Sequence, residues 1–165
     1  MIRETKLPVL WPGYLILAIS FIVEIFADLK VSPGGLICGI YWFSCLHRIH
    51  ALLSEISNGS YPIKPGKAVW YHFIPFFNLY WIFKWTNEME KFVNARLRSS
   101  GGMNDIASGI FLLVGFGVGK ILGGVFGMAI LLGVMIYIKS KVKTVLGAIP
   151  LSEERQPEKR QLYYF

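Results

Sequence analysis

The chain has 165 residues, of which 54% are hydrophobic, 15% aromatic and only 16% charged. That charged fraction lies well below the roughly 25% of soluble domains, and mean hydropathy is +0.50. A disordered chain is excluded, and the long apolar runs read as a bilayer-spanning protein instead of a soluble globule. Seventeen basic residues against ten acidic give a net charge of +7. The cations flank apolar runs and form no separate basic domain, so they read as anchors against anionic headgroups, and no nucleic-acid partner is expected.

The first expected helix covers residues 9–27, VLWPGYLILAISFIVEIFA, close to the roughly 20 residues that cross a hydrocarbon core. Arg3 and Lys6 precede it, as they would a signal peptide. Ile25, however, stands where a cleavage site needs a small residue, so the helix is expected to be retained. Glu24, the carboxylate within this run, is expected to snorkel to the interface.

Ser32 and Pro33 are cap and first-turn residues for a second helix over 33–57, which Asn58-Gly59 should stop. Its first half is apolar all round. Its second half carries Ile49, Leu52, Leu53 and Ile56 at helical spacing, as a helix leaving lipid would. Cys38 and Cys45 lie on this one helix and are not placed to pair with each other.

Pro65 opens a third expected helix over 65–85, bent at Pro75, which frees the Tyr71 carbonyl. An amphipathic segment over 87–98 follows. Asn87 and Glu90 resemble a capping box, Met89, Phe92, Val93 and Leu97 share a face, and Lys91, Arg96 and Arg98 line the other. The last apolar run, 106–138, would be about 50 Å long as one helix, too long for a single crossing. Two short helices over 106–119 and 124–138, turning near Lys120, Gly123 and Gly124, resolve the excess. A continuous helix would instead carry Gly115, Gly119, Gly123 and Gly127 as one stripe. Under either arrangement small residues let backbones approach closely.

The expected fold is an all-α, polytopic transmembrane bundle of four to five helices with interfacial amphipathic segments, one domain over 1–149, followed by a polar tail over 150–165. Lys139, Lys141 and Lys143 after the last run place the C-terminus in the cytoplasm. Five crossings would then leave the N-terminus outside, against the bias of Arg3 and Lys6.

The central stretch carries Pro65-Gly66-Lys67-Ala68 followed by Phe73-Ile74-Pro75-Phe76-Phe77-Asn78, Tyr80-Trp81 and Phe83. It resembles a group of small bacterial membrane proteins of unknown function that share a Pro-Gly-Lys-Ala loop and an FIPFFNxYWxF helix. The resemblance covers about the central third of the chain. It implies a multi-pass protein of the bacterial inner membrane and brings no activity, cofactor or catalytic residue with it.

The polar residues of these runs give the one candidate site. Antiparallel pairing of the second and third helices about Tyr61 would bring His47, Arg48 and His50 alongside His72 and Asn78. Ionisable groups at membrane depth need partners, so this cluster is a site for a ligand, ion or proton. Two other readings stand beside it: the second helix bends onto the surface, with these residues facing headgroups, or the cluster is a purely structural polar knot. His47 and His50 with nearby Cys45 lack the further ligands and spacing of a metal centre, and no metal or other cofactor is expected. GFGVGK is not a phosphate loop, because Val114 stands where its first glycine belongs and no Ser or Thr follows Lys120. No hydrolase signature appears. The function these features suggest is an accessory or scaffolding subunit packed against other membrane proteins in the bilayer. The alternative is a transporter or pore self-assembled around the polar cluster or the glycine face.

Overall fold

A computed structural model describes residues 7–27, 33–96, 104–121 and 124–148, and among these it is all-helical, with no strand. The helices are α1 (Trp11–Ala27), α2 (Pro33–Ile56), α3 (Pro65–Trp70), α4 (Phe77–Asn94), α5 (Asp105–Ile121) and α6 (Gly124–Ala148). Two stretches, Gly34–Ile56 and Gly124–Gly147, are long and apolar enough to cross a membrane, and Trp11–Glu24 and Ile106–Lys120 are shorter apolar helices. The tail over 150–165 and Gly123, Leu97 and Arg98 lie outside the described residues.

α1 and α2 run antiparallel. Tyr41 donates a hydrogen bond to the Val9 carbonyl, Gly13 abuts Tyr41, and Ser20 sits against Gly34 near the opposite end. α6 lies parallel to α2, tied where Trp42 Nε1 donates to the Leu131 carbonyl at 3.1 Å. α5 and α6 form an antiparallel hairpin. Its closest approach is at the glycines: a Cβ on Gly127 would stand 2.5 Å from both the Gly115 carbonyl oxygen and Gly119 Cα. Gly115 and Gly119 thus face Gly127 across two helices, and only glycine at position 127 admits this contact.

The segment expected as one bent helix over 65–85 is broken. α3 gives way to a 3-10 turn over Tyr71–Phe73, and Phe76 takes φ 61° and ψ −38° before α4 begins. The Phe77 N–H donates to the Pro75 carbonyl at 2.7 Å, a γ-turn of the positive-φ, strained kind. α3 then packs back on the start of α4: Tyr71 meets Trp81 edge to face at 4.7 Å, and Trp81 Nε1 donates to the Ala68 carbonyl at 3.4 Å. The result is a short helical hairpin with Phe73, Ile74 and Phe76 exposed at its tip.

α4 also corrects the expected segment over 87–98, because it passes without interruption through Asn87 and Glu90. No proline or glycine lies between Phe77 and Asn94, so nothing stops the helix for a capping box to restart. Its inner stripe, Trp81, Ile82, Trp85, Met89, Phe92 and Val93, is buried. α6 runs ten residues past the expected end at Ile138, since Val142, Val145 and Leu146 continue its buried face.

Candidate functional site

The buried face of α2 is Cys38, Trp42, Cys45, Leu46, Ile49 and Leu53, with His50 on its flank. At 3.6 residues per turn, His47 lies about 60° further round than His50. That step crosses the edge of the packed face. His50 is 0% exposed, whereas His47 and Arg48 are exposed on the outer side. The expected cluster is therefore divided in two.

The inner part is aromatic. Tyr61, in the non-helical connection after α2, places its hydroxyl 2.8 Å from His50 Nδ1. Burial and the charge of Glu88 push this phenol well above its usual range. Trp85 touches both histidines, with ring centroids 5.5 Å from His50 and 6.2 Å from His72. His72 also meets Trp42 at 5.9 Å and Phe43 at 5.6 Å, both edge to face. Asn78, in the first turn of α4, is half-buried and bonded to neither histidine.

His72 lies opposite Trp42 and Phe43, deeper along α2 than the level of 47–50 that equal spacing about Tyr61 predicts. Asn58 (φ 50°) and Gly59 (φ 81°) end α2, and residues 60–64 then travel back along it without helix. Non-helical chain can rise by more than the roughly 1.5 Å per residue of a helix, so the connection moves every later residue further down.

Among the described residues, His50 Nε2, both His72 ring nitrogens and Trp85 Nε1 are buried without a hydrogen-bond partner. The Ala68 and Val69 carbonyls stand beside the His72 ring but do not complete a bond. Unpaired buried donors and acceptors are costly, and their concentration around Trp85 marks the inner site. Sequence reasoning missed Tyr61 and Trp85. Trp85 could have been found from its spacing with Trp81, Met89 and Val93, which puts it on the buried stripe of α4. Among the described residues no three His, Cys, Asp or Glu side chains gather as metal ligands. On α1, Glu24 is partly exposed, and its Oε1 is buried without a partner among the described residues.

The outer part is a groove of about 510 Å³ between α2 and α3, lined by Ile40, Phe43, Ser44, His47, Arg48, Gly66, Val69, Trp70 and Phe73. Of the candidate packing glycines, Gly115, Gly119 and Gly127 are brought together at the α5–α6 contact.

Compared with family models, curated proteins and solved structures, the chain matches none.

Proposed function

We propose that the chain is a multi-pass protein of the bacterial inner membrane in which α1, α2, α5 and α6 cross the bilayer and α3 with the start of α4 forms a re-entrant hairpin. In this reading it is an accessory or scaffolding subunit that packs laterally against other membrane proteins. One observation carries the role: the interior is filled while the outside is apolar. Trp42, Leu46, Ile49, Trp85, Leu132, Met135 and Ile138 are all below 2% exposed, so the described residues of one chain pack as a filled interior. Trp11, Leu15, Ile19 and Ile22 of α1 and Ile106, Ile110 and Phe111 of α5 face outward. The chemistry such a surface offers is lateral contact with lipid or with other helices.

Charge supports the topology. Among the described residues, Arg48, Lys64, Lys67, Lys84, Lys91, Arg96, Lys139, Lys141 and Lys143 belong to one end of the bundle, and Lys120 to the other. Cations collect on the cytoplasmic side. Four crossings bring both termini to that side, which satisfies Arg3 and Lys6 as well as the lysines of α6. Backbone bonds from Phe77 to Pro75 and from Asn78 to Ile74 satisfy part of the irregular tip, as backbone at membrane depth requires. The likeness of the central stretch to small bacterial membrane proteins supports the compartment.

The test is the native mass of a C-terminally tagged chain extracted gently from its own membrane. The subunit reading expects other chains in fixed stoichiometry. An integer multiple of 18.7 kDa alone, plus tags, overturns it. That outcome would favour the second reading, a self-assembled transporter or pore, to which the unpaired nitrogens of His50, His72 and Trp85 lend support. Flux in liposomes abolished by His72→Phe would then be its signature.

A further inference from the structure

The groove on the outer side of α2 is chemically two-ended. Ile40, Phe43, Trp70 and Phe73 form its lower walls; Ile40 is 69%, Trp70 70% and Phe73 60% exposed. His47 and Arg48 stand at its upper end beside Gly66. Ile40 and Arg48 are about 12 Å apart along the helix axis at 1.5 Å per residue. Neither His47 nor Arg48 has an ion-pair or hydrogen-bond partner among the described residues. Lys64 and Lys67, both exposed, add charge at the same end, where α3 begins.

We propose that this groove binds one anionic phospholipid of the basic-side leaflet, with its phosphate on Arg48 and His47 and an acyl chain against Ile40, Phe43, Trp70 and Phe73. The inference rests on the membrane reading above. Charge complementarity selects the occupant. A cationic end asks for an anion, and guanidinium pairs with phosphate through two parallel hydrogen bonds. Four large apolar side chains continuous with that end ask for a hydrocarbon tail, which inorganic phosphate lacks. At about 510 Å³ the groove has the size of a small-molecule site, enough for one chain and the adjoining headgroup. An acidic helix of a partner protein would meet the same cations only by bringing a carboxylate to the headgroup level, and the experiment separates it from lipid.

The tagged chain is purified in mild detergent, stripped of lipid, and titrated with phosphatidylglycerol or phosphatidylcholine of identical acyl chains under native mass spectrometry. One phosphatidylglycerol per chain is expected, retained about tenfold more strongly than phosphatidylcholine, whose choline cation offsets its phosphate and is repelled by Arg48, Lys64 and Lys67. Arg48→Gln should bring retention down to the phosphatidylcholine level. Arg96→Gln, which removes a cation outside the groove, should not. Brominated phosphatidylglycerol should quench Trp70, and the quenching should vanish in Trp70→Phe. Equal retention of the two lipids, or unchanged preference in Arg48→Gln, overturns the proposal. So does full displacement by inorganic phosphate or preference restricted to a co-purifying protein. A chain that leaves the membrane in an alkaline wash overturns the membrane reading itself. One that stays behind yet shows no preference overturns only the lipid site.

Discussion

Replacing Gly127 with alanine tests the α5–α6 contact directly. The new methyl group would stand 2.5 Å from the Gly115 carbonyl oxygen and Gly119 Cα and 2.7 Å from Gly119 N. Ordinary contact begins near 3.4 Å, so the two helices must move apart by close to 1 Å. All three neighbours are backbone, so no side chain can swing away to absorb the change. Overpacking of this kind costs about 1–3 kcal/mol. Gly133, six residues further along α6, has nothing within 4 Å of its added Cβ. Alanine there should gain up to about 1 kcal/mol from helix propensity. The two variants should therefore differ by about 1–4 kcal/mol, displaced in opposite directions from the parent. Reversible unfolding in mixed micelles, followed by circular dichroism against the fraction of denaturing detergent, measures the difference. Equal midpoints for Gly127→Ala and Gly133→Ala would refute close glycine packing between α5 and α6.

Tyr61→Phe removes the hydroxyl bonded to the fully buried His50 and should cost about 1–3 kcal/mol; adding His50→Leu should recover part of that loss, and strict additivity in the cycle would deny the bond. The same tyrosine gives a pH signature. Its folded-state pKa is raised by burial and by Glu88, so above the unfolded value near 10 the unfolded chain ionises first and stability falls. Tyr61→Phe should flatten that decline in alkaline unfolding curves, and an unchanged slope counts against the buried phenol. Because Phe76 holds φ 61°, Phe76→Gly should leave the thermal midpoint unchanged or raised, while Phe76→Val should cost about 1–3 kcal/mol; the reverse order would remove the strained turn. Compartment-sensitive reporters fused to either terminus should both report cytoplasm, and opposite sides would rule out four crossings.

Much of the helical architecture is written locally. α2 begins at Pro33 and stops where Asn58 and Gly59 adopt positive φ, both features of short-range backbone preference. The all-helical character follows from apolar runs too long for strands. What could not be read locally depends on neighbours. Whether Asn87 caps a helix or lies inside one depends on whether Trp85 is already helical, and the buried stripe of α4 decides that. The division of His47 from His50 turns on where α4 and the Tyr61 connection cover α2, a tertiary fact about a 60° arc. The level of His72 required knowing that residues 60–64 are not helical, since a non-helical residue can advance the chain by more than a helical step. The residue types of the site were legible; their sorting into an inner pair and an outer pair was not.

The two antiparallel pairs α1–α2 and α5–α6 have a consequence for how the protein is made. In the proposed topology each pair begins and ends at the basic face, and so enters the bilayer as a closed unit carrying its own small contacts: Gly13 and Ser20 in one, Gly115, Gly119 and Gly127 in the other. Only the short links between partners have to be carried to the far side, over residues 28–32 and 122–123. The segment between the pairs, with its lysines, arginines and acids, never has to leave the compartment of synthesis. Assembly then reduces to docking one finished pair on the other, with Trp42 and Leu131 as the latch and the re-entrant hairpin folding in afterwards from the side on which it was made.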